Sequence, residues 1–210
     1  MILLQEKQNR NINQNIINMK SKLWIYFAII AFIFATSCSG GLNNKLLQEK
    51  GELQATVLQL LQQIDSLGNM GEYNLAITKD YIAKAEQFGN TYPEDPMSVE
   101  LLYKAGLLSM RIAQAQAFEN PEGTTLYAQK ALTIFDDIQK VYPEFNGVKN
   151  CIFYKGVIYD DILHDYENAE IYYRTFIARY PTDSLAINLE SYLQHLGKTP
   201  EEIMAEFEGK

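Results

Sequence analysis

Apolar residues recur at intervals of three and four along most of the chain, which is the spacing of one face of an α-helix. The first stripe consists of Leu46, Leu53, Val57, Leu60, Ile64 and Leu67. Gly68 and Gly71 follow it and predict a turn. A second stripe covers residues 73–88, and a third covers residues 99–117. These patterns predict three successive helices.

The same pattern continues in stripes over residues 127–141, 152–163, 166–180 and 185–196. Tyr-Pro pairs at 92–93, 142–143 and 180–181 end helices, because proline has a fixed φ and no amide hydrogen. Asp95 before Pro96 is typical of a helix start, and Thr199-Pro200-Glu201-Glu202 predicts a capping box for a short terminal helix. No segment alternates like a strand, so the sequence predicts an all-α fold.

Two segments repeat one spacing. Ala131, Phe135, Ile138 and Pro143 are separated by the same intervals as Ala169, Tyr173, Phe176 and Pro181. Upstream of each, the segments Tyr103-Lys104-Ala105-Gly106 and Tyr154-Lys155-Gly156 place a small residue where we expect two helices to cross. The small residues predict that paired helices approach closely.

This pattern resembles the tetratricopeptide repeat, in which an alanine, a later aromatic residue and a closing proline mark the second helix of each unit. The likeness is specific over units 99–143 and 150–181. The first unit has about a dozen extra residues around Asn120, and the second has one extra residue near His164. A degenerate unit over 46–93 has Tyr81 where the repeat has alanine. The resemblance implies a right-handed superhelix of antiparallel helix pairs.

The N-terminal region has the order of a secretory signal. Lys20 and Lys22 precede an apolar stretch over 23–35, which small residues and Cys38 follow. This stretch is short for a membrane span. It resembles a bacterial lipoprotein signal, which implies cleavage before Cys38 and fatty acylation of its thiol and new amine. The alternatives are an uncleaved anchor helix or an ordinary buried helix.

These features divide the chain into a signal region, 1–37, a lipidated polar spacer, 38–44, and a helical domain, 45–207. Met19 followed by Lys20 is the more natural start, and we interpret residues 1–18 as the product of a mis-set start codon.

Charge and cysteine content narrow the function. From Cys38 onward the chain has 14 basic and 25 acidic residues, a formal net charge of −11. An acidic surface repels phosphate backbones, which argues against nucleic-acid binding. Cys151 is the one other cysteine, so the mature chain has no pair for an internal disulfide.

The combined features resemble envelope lipoproteins of the tetratricopeptide class. Similar groups are the lipoprotein of the outer-membrane β-barrel assembly machinery and the periplasmic repeat protein of the Tol and Pal system. The resemblance implies a non-enzymatic, lipid-anchored scaffold on the periplasmic side of the outer membrane, with other envelope proteins as partners. An alternative is a helical lipoprotein that captures nutrients or glycans.

Repeat proteins of this class bind partners on a concave face formed by the first helices. The resemblance therefore gives a set of candidate binding residues: Lys104, Leu108, Arg111, Lys155, Ile158 and Asp161. The aromatic residues at helical spacing are expected in the core, although carbohydrate or peptide stacking is an alternative. The stripe over 46–67 fits either packing against the next helix, which favours a monomer, or a coiled-coil oligomer.

Candidate catalytic chemistry is sparse. His164 and His195 are expected at the surface, and Cys151 is expected to be an inert thiol. Adjacent carboxylates such as Asp160-Asp161 diverge by roughly 100° on a helix, which prevents them from converging on one metal ion. The sequence therefore predicts no enzyme activity, no cofactor and no metal.

The lipoprotein signal generates a direct prediction. Mass spectrometry of the mature protein extracted from membranes should give a chain that begins at a triacylated Cys38. Recovery of an intact amino terminus upstream of Cys38 would contradict this expectation.

Overall fold

The computed structural model describes residues 39–117 and 119–208, and all regular secondary structure in these ranges is helical. This confirms the all-α prediction. The predicted signal and Cys38 lie outside the described residues. The described residues fall into two units, 39–49 and 50–208. Within the described ranges, no helix has the length and apolarity needed to cross a membrane.

Eight α-helices lie in the described part of the chain. They are α1 (Ser39–Asn69), α2 (Leu75–Thr91), α3 (Pro96–Gln116), α4 (Pro121–Val141), α5 (Val148–Val157), α6 (Tyr166–Arg179), α7 (Ser184–Tyr192) and α8 (Pro200–Glu208). A π-helical turn, Ile158–Ile162, continues α5. Because α1 begins at Ser39, residues 39–44 are helical, whereas the sequence suggested a polar spacer there.

Side-chain caps fix most helix starts. The side chains of Asn74, Asp95, Asn120, Asp165 and Asp183 each accept a hydrogen bond from an amide in the first turn of the following helix. The predicted capping box is also confirmed, because the Thr199 amide donates to the Glu202 carboxylate at 2.8 Å and the Glu202 amide donates to the Thr199 hydroxyl at 3.2 Å. Each such cap stabilises its helix by about 1 kcal/mol.

The three Tyr-Pro pairs end their helices in one conformation. Tyr92, Tyr142 and Tyr180 have φ/ψ values of −129/59°, −125/59° and −131/55°. Each tyrosine amide donates to the carbonyl four residues earlier. Each tyrosine carbonyl then accepts a hydrogen bond of 3.0 Å from the amide three residues later. The predicted helix ends are therefore one turn used three times.

Glycines allow the paired helices to approach closely. A Cβ atom on Gly106 would lie 2.6 Å from a ring carbon of Phe135, and one on Gly156 would lie 2.5 Å from a ring carbon of Tyr173. Phe135 and Tyr173 occupy equivalent places in the two sequence repeats. The spacing noticed in the sequence thus corresponds to one contact that is made in two helix pairs.

Two clusters of buried residues form the core of the second unit. The larger cluster includes Val57, Phe88, Ile112, Phe135 and Ile138, and the smaller one includes Ile152, Ala169, Tyr173, Phe176, Ala186 and Leu189. Tyr81, which departs from the repeat pattern, is fully buried, and its hydroxyl donates to the Leu101 carbonyl at 3.2 Å. The bulkier side chain is therefore accommodated with its polar atom satisfied.

The first apolar stripe contributes to this core from Leu53 onward. Val57 is fully buried, and Leu53, Leu60 and Ile64 pack against the larger cluster. The Lys50 ammonium lies 2.6 Å from the Asp95 carboxylate and adds a polar contact at the start of α3. This part of the stripe is thus occupied within the chain, as favoured over the coiled-coil alternative.

The extra residues seen in the sequence have two structural outcomes. The insertion around Asn120 lengthens both α3 and α4 to 21 residues each, whereas α5 with its π turn has 10 and 5 residues and α6 has 14. The single extra residue near His164 coincides with the π turn, in which the Leu163 amide donates to the Ile158 carbonyl at 3.0 Å. A π turn accommodates one more residue than an α-helical turn.

The tight crossing predicts how one substitution behaves. Ala169 is fully buried, so Ala169→Phe should overpack the crossing and reduce the free energy of unfolding by about 1 to 3 kcal/mol. Chemical denaturation measures the change. Ala178→Phe on the same helix is the matched control, because Ala178 is exposed and the added ring has room. Equal stability of the two variants would contradict the close packing at Ala169.

Candidate protein-interaction surface

Three of the six candidate binding residues are buried: Leu108, Lys155 and Ile158. Leu108 is 5% exposed and Ile158 is fully buried, and both belong to the larger core cluster. Leu108 and Ile158 therefore lie in the core and not on an exposed face, which differs from the position expected from the sequence. The physical reason is that α3 and the π turn have neighbours on several sides, so apolar positions outside the main stripe are also covered.

Lys104 and Arg111 do lie at the surface, on one side of α3 and two helical turns apart. The Lys104 ammonium is 3.3 Å from the Asp65 carboxylate of α1. The Arg111 guanidinium carbon is 5.2 Å from the centroid of the Tyr73 ring, in the turn between α1 and α2. Both candidates therefore contact the preceding helix pair while remaining accessible to solvent.

Lys155 is a buried residue whose contacts are all within the protein. The residue is 4% exposed, its ammonium forms an ion pair with the Asp136 carboxylate, and it lies 4.2 Å from the centroid of the Tyr172 ring. A buried cation requires such partners, since an unpaired one would lose its hydration without compensation. A ligand could use this ammonium only by breaking these contacts.

The carboxylates of Asp160 and Asp161 point in different directions, which confirms the predicted divergence for this pair. Asp160 is buried and accepts hydrogen bonds from the Tyr173 hydroxyl at 3.0 Å and the Tyr192 hydroxyl at 2.6 Å. Burial raises the pKa of both phenols, and Asp160 raises it further through its charge and its hydrogen bonds. These two bonds join α6 and α7 to the π turn.

Asp161 is the exposed member of the pair and borders a cleft. Desolvation, and then the neighbouring Asp160 carboxylate, raises the pKa of Asp161. The cleft has a volume of about 520 Å³. Its lining residues are Gln114, Ala117, Pro121, Thr124, Thr125, Asp161, Ile162, Leu163 and His164. It lies where the long helices α3 and α4 extend beside the shorter pair, and it combines apolar walls with hydroxyl, amide and carboxylate groups.

The remaining chemical candidates are structural or exposed. Cys151 is fully buried, and burial raises the pKa of its thiol to about 12, which keeps it protonated and a poor nucleophile at neutral pH. His164 is exposed, in a left-handed conformation with φ of 51°. Within the described residues, no group of three or more His, Cys, Asp or Glu side chains is arranged to hold a metal ion.

The aromatic residues chiefly form packing contacts, as the sequence favoured. Rings of Tyr103 and Phe145 lie 5.5 Å apart, those of Phe135 and Tyr154 lie 5.9 Å apart, and those of Tyr159 and Tyr172 stack at 5.5 Å. The first pair joins α3 to the turn after α4, the second joins α4 to α5, and the third joins the π turn to α6. Such contacts add roughly 0.5 to 1.5 kcal/mol each beyond the burial of their area.

The sequence did not predict two contacts between a cation and an aromatic ring, one at Arg111 and one at Lys79. Tyr73 is 41% exposed beneath the guanidinium, and the Lys79 ammonium lies 5.3 Å from the centroid of the Tyr127 ring. These contacts join residues from separate helix pairs, and periodicity carries no signal for them. Together they give the surface a group of aromatic and cationic side chains, which are residue types that dominate protein interfaces.

Comparison with known proteins adds no identification. No protein-family model matches the chain, and neither the curated proteins nor the solved structures give a significant match. The class that the coordinates define is therefore an all-helical protein with repeated helix pairs.

The Asp160 contacts generate a matched pair of predictions. Asp160→Ala leaves the buried Tyr173 hydroxyl without its acceptor, which should lower the free energy of unfolding by about 1 to 3 kcal/mol. Asp161→Ala removes an exposed neighbour and should change stability by less than about 0.5 kcal/mol. Urea unfolding monitored by circular dichroism measures both. A loss of equal size in the two variants would count against the role given to Asp160.

Proposed function

We propose that this chain is a lipid-anchored, non-enzymatic scaffold that binds other proteins in a bacterial cell envelope. Its work is accessory to the assembly of outer-membrane proteins or to envelope maintenance. The observation that carries the proposal is a structural repeat, in which the same Tyr-Pro turn ends α2, α4 and α6. Stacked helix pairs of this kind are typical of proteins that bind partners along an extended surface.

The tetratricopeptide character of the superhelix is part of this proposal. Gly106 against Phe135 and Gly156 against Tyr173 support it, because the repeat places a small residue and an aromatic residue at these positions. The π turn and the lengthened α3 and α4 account for the places where the sequence departs from the pattern. A right-handed superhelix follows if successive pairs stack as they do in that class.

The non-enzymatic part of the proposal has its own support. The groups with the strongest potential for chemistry have structural duties: Lys155 pairs with Asp136, Asp160 accepts from two tyrosines, and the Cys151 thiol is held protonated. Catalysis requires groups that are accessible to substrate and converge on one point. These three are buried.

The lipid anchor and the outer-membrane location rest on the sequence. The basic residues, apolar stretch and small residues before Cys38 support lipidation, and no acidic residue follows Cys38 closely. In the proteins that the chain resembles, this arrangement accompanies the periplasmic side of the outer membrane. The anchored cysteine would directly precede α1, which begins at Ser39.

A second candidate function is the capture of glycans or other nutrients. Exposed tyrosines favour it, since sugars stack on accessible aromatic rings, and Tyr73, Tyr166 and Tyr192 are 41%, 42% and 43% exposed. The rings lie on different elements, and two of them engage neighbours: Tyr73 contacts Arg111, and Tyr192 donates to Asp160. We therefore rank this function below the scaffold.

Site-specific crosslinking tests the scaffold. A photoreactive amino acid at Glu100, which is exposed on α3 one turn before Lys104, should give a discrete adduct with an envelope protein in intact cells. The same probe at Thr133, which is exposed on α4, is the control and should give little product. Components of the barrel-assembly or Tol and Pal systems in the adduct support the proposal.

The other results count against it. A surface transporter in the adduct would favour nutrient capture. Equal labelling from Glu100 and Thr133, or no adduct from either, would contradict a specific protein-binding face.

A further inference from the structure

A group of four side chains forms a mixed aromatic and cationic patch, here called the tyrosine–cation cluster. Tyr73 lies in the turn after α1, Lys79 on α2, Arg111 on α3 and Tyr127 on α4. The Arg111 guanidinium carbon is 5.2 Å from the centroid of the Tyr73 ring, and the Lys79 ammonium is 5.3 Å from the centroid of the Tyr127 ring. Each cation is therefore positioned by a ring from a different helix pair.

The two contacts lie on adjoining elements, because α3 packs against both α2 and α4. Burial is the main cause of the raised pKa of Tyr73, the Thr78 hydroxyl and Arg111 oppose the shift, and Tyr127 adds to it. The packing of α3 against its two neighbours therefore brings Lys79, Arg111 and Tyr127 onto helices that contact one another.

The cations of this cluster differ from most others in the described part of the chain, which pair with carboxylates. The pairs are Lys45 with Glu49, Lys50 with Asp95, Lys104 with Asp65, Lys130 with Glu86, Lys149 with Asp183, Lys155 with Asp136 and Arg174 with Glu170. Neither Lys79 nor Arg111 forms an ion pair with a described carboxylate. In a chain where acidic residues outnumber basic ones, these two cations are therefore available to bind an external anion.

The chemistry of the cluster suits a carboxylate. Contact with an aromatic ring attracts a cation through the ring quadrupole and leaves its N–H donors available. The guanidinium of Arg111 can then bind a carboxylate through two parallel hydrogen bonds, and the ammonium of Lys79 can supply a further donor. Met70, which is 62% exposed three residues before Tyr73, adds apolar surface for a neighbouring aliphatic group.

We propose that the tyrosine–cation cluster binds the side-chain carboxylates of an acidic segment in a partner protein. This inference rests on the proposed scaffold function and names the chemistry of one partner segment. A peptide is favoured over an anionic bilayer or a nucleic acid, because the mature chain has a formal net charge of −11 and its overall field repels extended anionic surfaces. A short peptide segment contacts only a small part of the surface, so the charges of Lys79 and Arg111 act on it more strongly than the net charge of the whole chain does.

Peptide binding to the full chain, purified in detergent, tests the inference. The probe is a fluorescent peptide that alternates Glu and Leu, and its counterpart has Gln in place of Glu. The wild type should bind the Glu peptide and discriminate against the Gln peptide. The double variant Lys79→Gln/Arg111→Gln should weaken binding by about tenfold, since each exposed charge contact contributes roughly threefold.

The matched control is Lys140→Gln/Arg179→Gln. It removes one lysine and one arginine that are also exposed and have no described carboxylate partner, so the change in net charge is the same. Its affinity should stay within about twofold of wild type. Tyr73→Phe keeps the ring beneath Arg111 and should also bind normally. Circular dichroism checks that each variant is folded.

Three results would overturn the inference. The first is equal affinity for the Glu and Gln peptides, and the second is an equal loss of peptide affinity in the test and control double variants. The third is binding to phosphatidylglycerol vesicles that depends on Lys79 and Arg111, with no binding of the peptide. The crosslinking experiment separates this failure from failure of the scaffold. An adduct at Glu100 without peptide binding leaves the scaffold standing, and peptide binding without an adduct leaves only the carboxylate site.

Discussion

The close approach of paired helices at glycine is the constraint on which the rest of the structure depends. Gly106 and Gly156 lack the carbon that would collide with the rings of Phe135 and Tyr173, so each ring fills the space at a helix crossing. A glycine inside a helix costs about 1 kcal/mol relative to alanine. Burial of an aromatic side chain offsets that cost, because it removes a large apolar area from water. Helix pairs that met at a greater distance would leave the core between them poorly filled.

Local signals account for what the sequence predicted well. Apolar periodicity, the Tyr-Pro pairs and the capping residues act within a few positions, and the helices, their ends and the terminal capping box followed from them. The divergence of Asp160 and Asp161 is also local, since it depends only on helical geometry. The repeat spacing predicted that small residues lie where the paired helices cross, and the structure adds that Gly106 and Gly156 face the rings of Phe135 and Tyr173 there.

Contacts between distant segments account for what the sequence missed. Leu108 and Ile158 were expected at a binding face, yet additional neighbours cover them, and a single helix pattern does not show how many neighbours a helix has. Arg111 was expected at the same face, but its position over Tyr73 depends on the turn of the preceding pair. Lys155 can be buried because an ion pair with Asp136 and a contact with the Tyr172 ring stabilise its charge, and neither residue lies near it in the sequence.

The π turn has an evolutionary consequence. One additional residue in α5 falls after Gly156, so the crossing with Tyr173 is preserved while the segment beyond it is rotated. That rotation accompanies the inward placement of Asp160, whose carboxylate joins two later helices through their tyrosines. Insertion of a single codon in such a helix can therefore exchange the side chain that faces the interior without disturbing the pairing upstream. A change of one residue in length is thus enough to create new buried hydrogen bonds between stacked helices.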